Sequence, residues 1–233
     1  MLKSLKDLQE YSLRTQDGAT AAIKDFIVDD FNWLVRYVIA EVGDRQVALS
    51  TTVFNAFDDE QMALTTRLNE AAILDGPVID LDRPLTRADE EMLSQHYGWS
   101  PYWKQETDVP NTMPGDLTAI PMLDMQADLE RKQERLVSVS GGPGKESHLR
   151  SANRMIGYRI QARGDDAGKL SDLLAQISDW DLHYLVVDTG GLLPGKKVIL
   201  SPQWVQAIDS SNARIQVNLD KETVHKSPEL NEM

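Results

Sequence analysis

A chain of 233 residues, 41% of them hydrophobic, is long enough for one large domain or two of about 100 residues and can bury a core. No apolar run approaches the roughly 20 residues of a membrane-spanning helix, the opening MLKSLKDLQEYSLRTQDG lacks the apolar block of a secretory signal, and the absence of cysteine excludes disulfides, thiolate metal sites and cysteine nucleophiles while fitting a reducing, cytoplasmic setting. With 24 Lys+Arg against 37 Asp+Glu the net charge is −13, which repels phosphate backbones and anionic lipid and sets nucleic acid aside as a partner for the chain as a whole.

Taken in chain order, short strands come first. Tyr11 to Thr15, Ala21 to Asp29, Trp33 to Glu41, Gln46 to Ser50 and Gln61 to Arg67 alternate apolar and polar residues or run β-branched, and are separated by the turn formers Asp17-Gly18, Asp30-Phe31-Asn32, Gly43-Asp44 and Asp58-Asp59-Glu60. Asn69 then caps a helical turn through Leu74. Thr86 begins a firmer helix, TRADEEMLSQHY, with acidic residues at its positive end and Gly98 as its stop. The aromatic cluster HYGWSPYW comes next, and Lys104 to His148 has the composition of a linker, with prolines at 110, 114, 121 and 143 and the breaker Gly141-Gly142-Pro143-Gly144.

The strand pattern is then spelled again. FNWLVRYVIAEVG at Phe31 to Gly43 returns as SDWDLHYLVVDTG at Ser178 to Gly190, and an offset of 147 aligns residues 2–43 with 149–190 without a gap. Leu2/Leu149, Ser4/Ser151, Tyr11/Tyr158, Asp25/Asp172, Trp33/Trp180, Tyr37/Tyr184 and Gly43/Gly190 are identical, and apolar positions such as Leu13/Ile160, Ile23/Leu170, Phe26/Leu173 and Val38/Leu185 agree in kind. Beyond Gly43 the offset is 151, which pairs Val47/Val198, Leu64/Ile215 and Pro77/Pro228 and puts a four-residue insertion in the GGLLPGKK loop. The second copy stops at Met233, before a counterpart of the Thr86 helix.

A copy of about 80 residues with five or six short strands is too small for a sandwich and is best filled as a small barrel. The expected fold is therefore mainly β: two small barrels in tandem with short accessory helices, residues 1–103 as the first module with its C-terminal helix, 104–148 as linker and 149–233 as the second. Trp33 and Trp180 are expected to be structural. One continuous sheet would contradict two separate barrels.

The phrases WLVRYVIAEVG and DLHYLVVDTGGLLPGKKVILSP resemble the PRC-barrel family, the module found in the cytoplasmic domain of the photosynthetic reaction centre H subunit and in the C-terminal half of the ribosome maturation factor; LDRPLTRADEEMLSQHYGWSPYW is similar to the segment after the barrel in stand-alone members. The resemblance covers nearly the whole chain except residues 104–148 and implies a tandem two-module member that holds or caps a protein complex and is not an enzyme. The first copy departs from the pattern at GDRQVALSTT, where its loop is short.

Nothing in the residues specifies chemistry. The stretch Gly190 to Lys197 approaches a phosphate loop, but a lysine replaces its hydroxyl and a strand succeeds it where a helix is required. His96, His148, His183 and His225 are isolated, so no metal is expected, and no cofactor motif is present. The candidate partner-binding residues are Tyr97, Trp99, Tyr102 and Trp103, because Trp and Tyr dominate interface hot spots; the alternative is that these rings pack back on the barrel. The expected function is a scaffold or adaptor that binds another protein or itself. A small-ligand binder or enzyme in an inter-barrel cleft is one alternative, and an RNA-linked assembly factor using Arg150, Arg154, Arg159, Arg163, Lys196 and Lys197 is another.

Overall fold

The structure, a computed structural model, describes residues 1–80, 83–101, 148–190 and 195–232. It is mainly β, and one string of elements occurs twice. In the first half β1 (Leu2–Ser4) enters the one-turn helix α1 (Leu5–Leu8), followed by β2 (Ser12–Arg14), β3 (Thr20–Asp29), β4 (Leu34–Val42), β5 (Arg45–Ser50), a 3₁₀ turn at Thr51–Val53, β6 (Phe54–Asp58), β7 (Ala63–Thr66), α2 (Glu70–Leu74) and α3 (Arg87–Tyr97). In the second half β8 (Leu149–Ser151) enters α4 (Ala152–Met155), then β9 (Arg159–Gln161), β10 (Asp166–Gln176), β11 (Asp181–Asp188), β12 (Lys197–Leu200), a 3₁₀ turn at Pro202–Trp204, β13 (Val205–Asp209), β14 (Arg214–Val217), α5 (Lys221–His225) and a last 3₁₀ turn at Leu230–Glu232. Strand β6 lies in a stretch to which the sequence pattern assigns no element.

Each half orders its strands alike, β6-β7-β2-β3-β4-β5 and β13-β14-β9-β10-β11-β12, with β2/β7 and β9/β14 parallel and the other pairs antiparallel. Register shifts fall at matching places, Ile23/Asp25 and Ile27/Val28 in β3 and Leu170/Asp172 and Leu174/Ala175 in β10. Such bulges bend a strand and let a short sheet curl around its side chains. The curl is not closed by hydrogen bonds: no ladder joins β5 to β6 or β12 to β13 among the described strands.

The two halves are not separate barrels. Strand β1 pairs with β10 of the second half, β8 pairs with β3 of the first, and β4 meets β11 at Leu34 and Asp181, so the fourteen described strands form one connected sheet. This corrects the sequence expectation of two self-contained barrels, and the reason is strand exchange: each half borrows the other half's first strand. One core results, running from Phe26, Val38 and Leu49 through to Leu173, Leu185 and Leu200.

The outer faces of the sheet are covered differently. Ile27, Tyr37, Ile39 and Ala48 lie under Ile79, Leu85 and Leu93, the last from α3. Thr86 and Asp89 form a reciprocal capping box for that helix, and Gly98 closes it with φ 69°. The equivalent face of the second half, Leu174, Val186 and Ile199, packs against Leu2 and Leu230 instead.

Candidate functional site

The seam between the halves is built around the two repeated tryptophans. Trp33 and Trp180 sit at the turns β3–β4 and β10–β11 with φ of 55° and 64°, a conformation that costs a bulky L-residue about 1 to 3 kcal/mol and survives only where its surroundings hold it. They do hold it: Trp33 N donates to Asp29 O at 2.8 Å and Trp180 N to Gln176 O at 2.7 Å, while Leu182 N donates to Trp33 O and Val35 N to Trp180 O across the seam at 2.8 and 2.9 Å. The Trp180 ring is buried against Phe26 and Phe54 of the opposite half, with centroids 6.3 and 6.0 Å apart. The structural role expected of these rings is what the packing displays.

Where Trp180 meets the first half a groove of about 700 Å³ opens, bordered by Thr52, Phe54, Asn55, Phe57, Ile177 and Trp180, with Asp59 and Asp179 at its walls. Phe57 stacks on Tyr11 at 5.0 Å, and Lys3 of the exchanged strand lies 5.6 Å from the Phe57 ring centre while pairing with Asp59 at 2.6 Å. The hydrogen bond from Lys3 lowers the Asp59 ionisation below the usual carboxylate range, and Tyr11 also donates to that carboxylate, which raises the phenol. The matching place in the second half has diverged: Arg150 bonds Ser210 at 2.8 Å and pairs with Asp30. Sequence reasoning misses this groove because its two walls lie more than 100 residues apart. The local signal that could have pointed to it is the aromatic pair Phe54 and Phe57, in the stretch without an assigned element.

Of the aromatic candidates, Tyr97 and Trp99 are brought together: their rings stack at 4.6 Å with planes 10° apart, and Trp99 lies 6.3 Å from Tyr37. Both pack against the core clusters beneath α3. Burial pushes the Tyr97 phenol up to about 12. Tyr102 and Trp103 lie outside the described residues, as does most of the 104–148 linker.

The remaining candidates are dispersed. His96 lies edge-on to Tyr97, and His148 pairs with Asp30 at 3.1 Å, which raises its ionisation. Among the described residues no group of three His, Asp or Glu is placed to hold a metal ion. The ends of the GGLLPGKK loop are tied to a carboxylate, Gly190 N and Gly195 N both donating to Asp188 Oδ1 at 2.8 and 3.1 Å, and a strand succeeds it as expected; residues 191–194 lie outside the described residues. The basic set of the second half is largely engaged, Arg150 by Asp30, Arg159 by Asp166, Lys196 by Glu229 and Arg163 by Asn218. No helix among the described residues is long and apolar enough to cross a membrane.

Residues 148–224 match the family model of the PRC-barrel domain, which takes in the second half from β8 through most of α5. A search of curated proteins found no match.

Proposed function

We propose that this chain is a non-catalytic scaffold of two PRC-type modules, clasped by exchanged first strands, that binds a protein partner through the groove at their seam. The tandem reading is supported by the first half repeating, from β1 through α2, the order of elements in the half that matches the family. The observation that carries the binding role is the groove, where Phe54 and Phe57 of one half and Trp180 of the other border a broad opening. Aromatic rings at a rigid concave seam are what interface hot spots are made of.

The enzyme or small-ligand reading draws on the same cavity but needs convergent titratable groups. Asp59 and Asp179, the two carboxylates there, are exposed, and Asp59 is already engaged by Lys3 and Tyr11. The RNA-linked reading is weakened by ion pairs at three of its six cations, Arg150, Arg159 and Lys196. A role for Tyr97, Trp99, Tyr102 and Trp103 in the interface is a second contact region on this reading, with Tyr97 and Trp99 already committed to packing.

The test is capture of partners from the native cell by the full chain and by the variant Thr52→Arg with Asn55→Arg, both at exposed positions of the groove. A specific protein, held by the wild type and lost by the variant at unchanged melting temperature, is the expected result. Equal capture by both moves the interface elsewhere.

A further inference from the structure

We propose that the edge of β6 left unpaired among the described strands accepts an extended peptide of the partner as an added strand, an inference that rests on the protein-binding reading above. Strand β6 ends the hydrogen-bonded path and, among the described strands, pairs only with β7. An edge strand presents backbone N–H and C=O groups on its open side. Phe54, Asn55, Ala56 and Phe57 all border one cavity. A register shift between Phe54 and Ala56 breaks the alternation of side chains there, but Ala56 and Phe57 lie beyond it and point to opposite faces, so a cavity that both border reaches the edge between those faces. Peptides recognised by strand addition gain affinity from main-chain hydrogen bonds and specificity from alternate side chains.

The walls specify the peptide. Ile177 and Phe57 border the cavity together with Phe54 and Trp180, whose rings pack on one another, so an added strand meets apolar surface along the groove. At its far end β6 runs into Asp58-Asp59-Glu60, and Asp179 borders the same cavity. Lys3 pairs with Asp59 and so offsets one of these four carboxylates. The occupant this favours is a segment with alternating apolar side chains and a Lys or Arg at one end. The equivalent edge of the second half supplies a contrast: among the described strands β13 pairs only with β14, but the cavity beside it, bordered by Trp33, Leu182 and Pro202, touches β13 at Val205 alone.

The experiment screens a combinatorial library of seven-residue peptides against the full chain and titrates the selected sequence by calorimetry, unmodified and N-methylated on each alternate set of residues. Expected are enrichment of alternating apolar residues with a terminal Lys or Arg, and a loss of about tenfold on methylating one set but not the other, as for a backbone hydrogen bond removed from a buried edge. Asp179→Asn, at an exposed turn, keeps the acceptor for Asp181 N and should weaken the cationic peptide about twofold to threefold with melting unchanged. No enrichment, enrichment of acidic or helix-patterned peptides, or indifference to N-methylation overturns strand addition. If the library fails while Thr52→Arg with Asn55→Arg still abolishes capture of the cellular partner, the groove remains the binding site and only this mode of binding is lost; if the library fails and the variant captures as the wild type does, the groove itself is overturned as the binding site.

Discussion

The Ser4 hydroxyl donates to the Asp172 carboxylate, and 147 positions later Ser151 donates to Asp25, so two of the residue pairs repeated in the sequence form one clasp used twice. Each serine starts a one-turn helix and also accepts from it, Ser4 from Asp7 N at 3.0 Å and Ser151 from Arg154 N at 3.1 Å. Each aspartate sits at a register shift in a long strand and accepts from the next backbone N–H, that of Phe26 or Leu173, at 2.7 Å. The exchanged strand, the helix and the bulge are thus fixed by four side chains.

Burial raises both carboxyls above the ordinary aspartate range, against the hydrogen bonds that pull them down. A folded-state value above the unfolded one means that the contribution of these groups is fullest below the unfolded value and is lost as pH rises through the folded value. Asp25→Ala removes the acceptor from Ser151, Asn153 N and Phe26 N and should cost about 1 to 3 kcal/mol in urea unfolding at pH 7. Asp25→Asn keeps Oδ1 for the backbone donors and lets the Ser151 oxygen accept from the new amide, so it should cost under about 1 kcal/mol. An Asn variant as unstable as the Ala variant would deny the clasp this geometry.

Helix α3 answers to acid in the opposite sense. The Arg83 hydrogen bond, with those from Thr86, holds Asp89 at about 2, so its stabilisation is present above the ordinary aspartate value and fades as pH falls toward 2. Arg83 is partly exposed, so screening leaves Asp89→Ala at about 1 to 2 kcal/mol, most of it from the cap. Tyr37 donates to Glu90 of the same helix at 3.0 Å and should report its release. Fluorescence and unfolding of Asp89→Ala between pH 2 and 7 should show the variant and wild type converging at the acid end.

The repeat, its two offsets, the caps at Asn69 and Thr86 and most strand bounds are legible in the sequence because each is set by local pattern: alternation, turn residues and capping side chains. Strand exchange is not. Leu2/Leu149 and Ser4/Ser151 are interchangeable, so a sequence that places β1 on β3 specifies equally well β1 on β10, and only the path of the chain in space decides. The groove is hidden for the same reason, since its walls come from Phe54–Phe57 and Ile177–Trp180.

Tyr97 and Trp99 should behave as packing. A Cβ added at Gly76 would collide with Tyr97 Oη, so Gly76→Ala should cost about 1 to 3 kcal/mol by overpacking, partly restored by Tyr97→Phe. Trp99→Ala should cost about 2 kcal/mol, against about 3 to 5 for the buried Trp180→Ala. Thermal unfolding of the three variants ranks them; a Trp99→Ala protein of unaltered stability that loses its partner would return these rings to the interface.

Two residues strained alike should respond to glycine in opposite directions. Ala213 and Met62 occupy equivalent turns with φ of 50° and 46°, and their carbonyls accept from Arg159 N and Ser12 N at the same 2.9 Å. The left-handed region costs an L-residue about 1 kcal/mol that glycine does not incur. Ala213 is exposed, so Ala213→Gly removes the strain and little packing. It should raise stability by about 0.5 to 1 kcal/mol, less the greater freedom glycine gives the unfolded chain. Trp180→Gly relieves the same kind of strain but empties the space between Phe26 and Phe54, and should be among the most destabilising single changes in the chain. Urea unfolding of both variants is the measurement. If Ala213→Gly proves as destabilising as an ordinary loop glycine, the left-handed turn is not under strain and the same inference for Trp33 and Trp180 falls with it.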